Sequence, residues 1–168
     1  MQRQGNFVVE NLASSTRWVL LAIGGQTYAL HFEAVERVLR MVEVTPLPGA
    51  PTVVEGVINI QGEVVPVVSI HRRLGLARRG VALSDSLLVA RVRSRRVAII
   101  AESVLGVVER PADAVVNVGD IAHGIPHIEG LLKTSDDLVL IHDLERFFSP
   151  EEEQSLALVF GEELKNDH

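Results

Sequence analysis

The sequence contains no cysteine and few aromatic residues. Without cysteine, disulfides, catalysis by a thiolate and metal sites built on cysteine are all excluded. Aromatic residues make up 4% of the 168 positions, whereas hydrophobic residues reach 47%, so we expect an aliphatic core. Valine, leucine and isoleucine dominate that core and favour strands over helices. The length predicts one domain or two small ones.

Long apolar runs and an excess of positive charge are also missing. No apolar run approaches the roughly 20 residues that a membrane-spanning helix needs. Residues 1–15 lack the charged start and apolar centre of a signal peptide. We therefore expect a cytoplasmic protein with no direct membrane insertion. The net charge of −6 argues against nucleic acid as the main partner.

Arginine is nevertheless concentrated in one stretch. Between positions 71 and 96, eight arginines stand against the single acid Asp85. They are Arg72, Arg73, Arg78, Arg79, Arg91, Arg93, Arg95 and Arg96. Two interpretations stay open, a solvated basic surface or a surface that faces an acidic protein partner. The second predicts binding that weakens steeply with added salt.

Residues 45–70 carry the clearest strand pattern. Three prolines are followed by two β-branched segments, 53–60 and 64–70, which are joined by Gln61-Gly62-Glu63. Such segments around a short connection with glycine predict a β-hairpin. The same pattern predicts further hairpins, which turn at Gly24-Gly25, at Ser94-Arg95 and at Ser135-Asp136-Asp137.

Short helical elements separate the predicted hairpins. In FEAVERVLRM, residues 32–41, the apolar side chains have helical spacing, which predicts an amphipathic turn that reverts to strand near Leu39. HRRLGL, residues 71–76, predicts one helical turn that ends at glycine. The best-marked helix starts at Ser149, because Pro150 and Glu152 complete a capping box. We expect it to pack across one barrel.

The second half of the chain repeats the first. Glu55-Gly56 recurs as Glu129-Gly130, 74 positions later, and the hairpins that contain these pairs align without a gap. ESVLGVVE, residues 102–109, echoes the turn that begins at Glu33, 69 positions earlier. Each half has too few strands for a large barrel, so we expect two small barrels side by side that share an aliphatic core.

The predicted organisation has three parts. Residues 1–16 form a flexible lead-in, and residues 17–148 form a single domain of two barrel subdomains, approximately 17–76 and 85–148. Residues 149–168 form the C-terminal helix and tail.

YALHFEAVERVLR followed by PLPGAPTVVEGVINIQGEVVPVVSIHRRLG resembles the CheW family, the coupling proteins of bacterial chemotaxis. The family pattern is a Tyr-x-Leu strand, a V-x-E-V turn, a P-x-x-P loop and then G-V-x-N-L-R-G-x-V-x-P-V-x-D-L. The resemblance covers about residues 18–158. It implies a mostly β fold of two five-stranded SH3-like barrels with short helical turns and a C-terminal helix. It also implies a protein without catalysis and without a cofactor.

The resemblance implies partners as well. They are the regulatory domain of a CheA-type histidine kinase, the cytoplasmic tip of chemoreceptors, bound in a groove between the barrels, and other CheW-like domains. The protein would lie at membrane-associated receptor arrays. The partner-binding residues that the resemblance implies are Val35, Arg37, Val38, Asn59, Gln61, Gly62, Glu63, Val64, Glu102 and Val104. For each valine taken alone, the alternative to partner binding is that the side chain simply packs in the core.

Four positions depart from the family pattern. Gln61 replaces the usual Arg, Arg37 replaces the usual Glu, and Glu102 and Ser69 each replace Asp. These changes suggest either a dedicated partner with compensating charges or an accessory copy in a separate array, such as a pilus or surface-sensing system.

A small-ligand sensor or a metal-dependent enzyme on a similar barrel is the alternative of another class. Asp120, His123 and His127 have spacing that could present metal ligands, but a glycine and a proline interrupt any helix that would align them, so a solvated loop is the alternative. His142 and Asp143 are adjacent in a predicted strand and would point to opposite faces. No nucleophile elbow, P-loop or dinucleotide fingerprint occurs, so we expect no enzyme.

Overall fold

The structure is a computed structural model that describes residues 15–76, 80–117 and 126–161. Most of the predicted lead-in, part of the segment between the halves, residues 118–125 and the C-terminal tail lie outside the described residues. The strands are β1 (Ser15–Ile23), β2 (Gln26–His31), β3 (Val35–Arg40), β4 (Val54–Ile60), β5 (Glu63–Val68), β6 (Ser86–Val92), β7 (Arg95–Ala101), β8 (Ser103–Pro111), β9 (Val115–Asn117), β10 (Ile128–Lys133) and β11 (Leu138–His142). The helices are α1 (Ile70–Arg73) and α2 (Pro150–Val159), with 3-10 turns at Phe32–Ala34 and Ala112–Ala114.

The strands form two sheets. One has the order β8-β1-β2-β11-β10-β9 and the other has the order β3-β6-β7-β5-β4. Within each sheet one pair is parallel, β2 with β11 and β5 with β7, and the other pairs are antiparallel. The mostly β prediction is therefore confirmed, with one strand more than expected in the first sheet.

Each sheet takes strands from both halves of the chain. The first hairpin, β1–β2, belongs to the sheet of β8 to β11, and the hairpin β6–β7 belongs to the sheet of β3 to β5. This arrangement differs from the predicted division at approximately 17–76 and 85–148. Strand β2 pairs with β1 on one side and with β11 on the other, so β3 cannot pair with β2. The three-residue turn between β2 and β3 is too short to reach an edge of the same sheet, and β3 joins the other sheet.

In both sheets the chain passes from one edge strand to the opposite edge. After β3, Thr45 pairs with Val57 of β4 through two backbone hydrogen bonds of 2.9 and 2.8 Å. After β8, the chain makes a 3-10 turn and pairs with β10 as β9. Both sheets therefore curl into small SH3-like barrels, which leaves short edges instead of a long open sheet.

The predicted internal repeat is visible in the bulges. Glu55 interrupts the pairing of β4 with β5, and Glu129 interrupts the pairing of β10 with β11 at the equivalent position 74 residues later. Gly130 follows the second bulge because a Cβ there would lie 2.7 Å from the backbone oxygen of Val116. The repeat at 69 positions is also visible. Val35 pairs with Ala90 next to the bulge in β3, and Val104, 69 residues later, pairs with Leu21 next to the register shift in β8.

Three apolar clusters hold the barrels together. The largest lies between the sheets and is built mainly on β1, β2, β6 and β7, the two hairpins that the halves exchange. A second cluster fills the barrel of β3 to β7, and a third fills the barrel that contains Trp18 and Ile141. The expected shared aliphatic core is therefore present, and the exchanged hairpins bury both of their faces.

Two predicted helical turns are largely strand. Only Phe32–Ala34 forms a turn, and Val35 already begins β3. The echo of this turn, ESVLGVVE, forms β8 from Ser103 onward. The helical spacing misled the prediction because a bulge at Glu36 shifts the alternation of exposed and buried side chains by one residue.

The C-terminal helix α2 has the predicted start. The Ser149 side chain accepts from the backbone N–H of Glu152, and the Glu152 carboxylate accepts from the backbone N–H of Ser149. Leu156 of α2 is fully buried in the cluster between the sheets, and Phe160 packs against that cluster. The helix therefore covers the core shared by both barrels instead of one barrel alone.

Candidate partner-binding face

The hairpin between β4 and β5 presents five of the predicted residues at or next to its tip. Gln61 and Gly62 form a two-residue turn with φ of 50° and 88°, the left-handed conformation that such hairpins need. The Asn59 side chain accepts from the Gly62 N–H at 2.7 Å and so fixes the turn. Glu63 and Val64 follow on the exposed side, and Val64 remains 51% exposed.

Strand β3 presents the second group, Val35, Arg37 and Val38. It is an edge strand, and only its inner side pairs within the described part of the chain, with β6. Val38 is 47% exposed and Arg37 is exposed, whereas Val35 is partly buried against the core between the sheets. Among the described residues, no acidic side chain lies within ion-pair distance of Arg37.

A network of charged side chains connects these two groups. The Glu36 carboxylate contacts two arginines, with Oε1 3.2 Å from Arg91 Nη2 and Oε2 2.9 Å from Arg96 Nε. Arg96 Nη1 also donates to Glu63 Oε2 at the hairpin tip. Arg96 thus touches both groups, although they come from different strands.

The network lies at one end of the barrel of β3 to β7. Arg96 belongs to the same side-chain row of β7 as the buried Ala98, and Glu63 belongs to the same row of β5 as the buried Val65. Both rows line the interior of the barrel. The charges therefore close the mouth of the barrel next to the hairpin tip.

The structure places Glu102 and Val104 apart from this network. Glu102 Oε1 accepts from the backbone N–H of Gly24 at 2.6 Å, which holds the turn between β1 and β2. It lines a small cleft between the barrels together with Glu55, Ser69 and His71. Val104 is half-buried on β8 and packs against the core between the sheets, the same core that Val35 contacts.

Ser69, which stands where the family has Asp, caps helix α1. Its hydroxyl accepts from the backbone N–H of Arg72 at 3.3 Å. Serine and aspartate are both good N-cap residues, so this departure preserves the local structure.

Glu36 was missed as a candidate residue, and Arg91 and Arg96 were predicted only as members of the arginine-rich stretch. A signal for the two arginines was present, because the predicted hairpin around Ser94-Arg95 sets Arg91 and Arg96 against each other. Like charges opposite each other on paired strands are destabilising unless acids lie between them. The acid itself could not be found, since Glu36 reaches them from a strand that is distant in sequence.

The arginine-rich stretch is largely engaged within the chain. Of its described members, Arg72 pairs with Glu55, Arg73 with Glu152 and Arg95 with Glu153, at 3.1, 2.5 and 3.5 Å. Arg93 donates to the backbone oxygen of Glu145 at 3.0 Å. Arg78 and Arg79 lie outside the described residues. These contacts favour an internal structural role over a free surface for an acidic partner.

The histidines do not assemble a metal site in the part of the chain that the structure describes. Asp120 and His123 lie outside that part, and no group of three potential ligands occurs within it. His142 is fully buried 5.4 Å from the Phe147 ring. Burial, followed by repulsion from His127 and Arg73, lowers the pKa of His142 from 6.5 to about 3, so the ring is neutral.

The described helices are too short or too polar to cross a membrane. The arrangement as a whole is one of two pseudo-equivalent barrels with an exposed edge strand and an exposed hairpin tip on one of them. Such a surface suits binding to another macromolecule.

Comparison with known proteins places this arrangement in a family. The model of the CheW-like domain matches residues 17–152. The chemotaxis protein CheW of Thermotoga maritima is 32% identical over 127 residues, which cover 74% of this chain and 82% of the relative. The chemotaxis protein CheW of Treponema pallidum is 25% identical over 145 residues, 83% of this chain and 85% of the relative. The crystal structure of the scaffolding protein TtCheW from Thermoanaerobacter tengcongensis has the same fold, with a TM-score of 0.74 at 22% identity over 82% of this chain and 94% of that one. The chain therefore belongs to the family of CheW-like domains.

Proposed function

We propose that this protein is a non-catalytic adaptor of a bacterial chemotaxis-type signalling array. It couples the cytoplasmic tips of chemoreceptors to the regulatory domain of a CheA-type histidine kinase, and it also contacts other CheW-like domains. Its place is the cytoplasm, at membrane-associated arrays. Family membership supports this proposal, since relatives are named chemotaxis protein CheW and one solved relative is described as a scaffolding protein.

The exposure of Val38 and Val64 is the observation that best supports the binding role. They are 47% and 51% exposed, on two segments that the Glu36–Arg96–Glu63 contacts join. An apolar side chain on a rigid strand is a suitable anchor for a partner, because binding buries it without a large cost in ordering the protein. Arg37 is exposed on the same edge strand as Val38 and gives that strand a positive charge.

Arg37 favours a dedicated partner over one that fits the usual family surface. Its guanidinium is exposed and lacks an acidic neighbour within the described residues, so it is available to pair with a carboxylate of a partner. An accessory CheW-like protein of a pilus or surface-sensing system would have such a partner.

Calorimetry tests the proposal directly. Titration of the full chain with the kinase regulatory domain and with receptor tip fragments from the same genome should give binding in the micromolar range. Arg37→Glu should weaken the interaction and flatten its dependence on salt, whereas Arg146→Glu, at an 82% exposed position away from β3, should leave both unchanged. Absence of binding to every kinase and receptor fragment would overturn the adaptor role. Metal uptake that depends on His123 and His127 would then support the alternative of another class.

A further inference from the structure

We propose that Arg96 is a positioning residue that couples β3 to the hairpin tip, so that the two segments of the partner-binding face keep one relative position. This inference rests on the proposed function for its consequence in binding. The coupling itself concerns only the residues of this chain.

Arg96 is the one described side chain that contacts acids of both segments. Its Nε lies 2.9 Å from Glu36 on β3, and its Nη1 donates to Glu63 at the tip. Arg91 lies opposite Arg96 on β6 and contacts Glu36 at 3.2 Å, but no contact joins it to Glu63. Arg91 therefore supplies a matched control of the same residue type in the same network.

The hairpin tip depends on such a contact because the adjacent strands diverge before it. Strand β5 pairs with β7 only at Val67 and Val68, and β4 is the far edge of the sheet. Beyond that point the tip is held by its pairing with β4, by the packing of Ile60 and Val65 in the barrel core, and by the Glu63–Arg96 contact. Loss of the contact would remove the charged link between the tip and β3, and we expect a small shift of Gln61 and Val64 relative to β3.

The planar guanidinium suits this task better than an ammonium would. Two nitrogens on different sides of the group reach Glu36 and Glu63 together, whereas a lysine offers a single charged point. The Arg96 side chain is only 26% exposed, compared with 50% for Arg91, so its contacts are less screened by water. The coupling therefore passes through Arg96 and not through Arg91.

The first test uses backbone NMR and needs no partner. Glu36→Gln should shift the backbone amide signal of Gly62. In a protein that already carries Arg96→Gln, the addition of Glu36→Gln should not move this signal further. In an Arg91→Gln background the effect of Glu36→Gln on Gly62 should persist. An equal shift of Gly62 with and without Arg96 would overturn the proposal, and so would its disappearance in the Arg91→Gln background.

The second test measures affinity for the kinase regulatory domain and the receptor tip. Arg96→Gln should weaken binding about two- to fivefold, in line with the loss of a partly exposed ion pair. Arg91→Gln should weaken binding less than Arg96→Gln does, because Arg91 contacts Glu36 alone, and Arg96→Lys should recover less than half of the lost affinity. Dispersed spectra and an unchanged Tm show that the variants are folded, and a folded Arg96→Gln with unchanged affinity overturns the role in partner binding. If the unaltered protein binds neither partner, the proposed function fails, and the NMR result alone decides on the coupling.

Discussion

The Arg73 guanidinium lies with Nη1 2.5 Å from Glu152 Oε1 and 3.0 Å from the backbone oxygen of Phe147. These contacts join α1 to the start of α2, 79 residues later in the chain. Although burial opposes ionisation of Glu152, the Ser149 N–H and the Arg73 guanidinium lower the pKa of that carboxyl below its ordinary value. The capping box and the ion pair therefore use the same carboxylate.

Replacement of Arg73 should loosen helix α2. Arg73→Ala leaves the partly buried Glu152 carboxylate without its charged partner, and we expect a loss of about 2 kcal/mol in the free energy of unfolding. Hydrogen exchange should accelerate in residues 150–159 more than in β6 or β7. Arg146→Ala is the control, because its contact with Asp143 is long at 3.8 Å and its side chain is 82% exposed. Equal exchange rates in both variants would contradict the predicted link.

His142 should make the protein sensitive to acid. Its pKa is about 3 in the folded protein and near 6.5 when the chain is unfolded, so the unfolded state binds the additional proton as the pH falls. The contribution of His142 to the free energy of unfolding is therefore fully present above pH 6.5. It declines as the pH falls further, by about 2 kcal/mol at pH 5. Urea unfolding at pH 7 and pH 5 measures this loss.

The variant His142→Phe should remove most of that decline, since a phenyl ring packs beside Phe147 and does not titrate. His31→Gln serves as the control at a 42% exposed position. A decline of the same size in His142→Phe would assign the acid sensitivity to other groups.

Gly130 should not tolerate alanine. A Cβ at this position would lie 2.7 Å from the Val116 oxygen, and the backbone of β9 would have to move away from β10. We expect a loss of about 1–3 kcal/mol, as for other overpacked sites. Thermal unfolding of Gly130→Ala beside Gly80→Ala, where a Cβ would contact nothing within 4 Å, checks this expectation. Similar Tm values would show that β9 adjusts without cost.

Charge at Val38 or Val64 should disrupt partner binding without harm to the fold. Both side chains are about half exposed, so Val38→Asp and Val64→Asp should change the Tm little but weaken binding at least tenfold. Leu83→Asp is the matched control, because Leu83 is 88% exposed and lies outside the proposed face. If all three variants bind alike, the partner uses another surface.

Much of the fold could be predicted from the sequence because it depends on local signals. The turns at Gly24-Gly25 and Gln61-Gly62, the capping box at Ser149 and the Glu-Gly repeat all lie where the sequence predicts them. The exchange of hairpins between the sheets could not be predicted, since hydrophobic alternation shows that a strand is buried and not which strand lies beside it.

The candidate site could be predicted from the sequence only in part, for the same reason. The hairpin tip is continuous in sequence, and its predicted residues do lie together. Glu102 stays a predicted partner-binding residue, and the hydrogen bond that its carboxylate accepts from the Gly24 N–H, across 78 positions, could not be predicted. The Glu36 contacts with Arg91 and Arg96 likewise depend on the pairing of β3 with β6.

The hairpin exchange has a consequence for synthesis of the protein in the cell. Strand β3 pairs with β6, and β1 pairs with β8, so neither barrel has all its strands until residues from both halves have left the ribosome. Such long-range pairing slows folding and prolongs the exposure of apolar strands. The nascent first half therefore has to wait, with β3 and one edge of β5 unpaired, for the hairpin β6–β7 that completes the barrel.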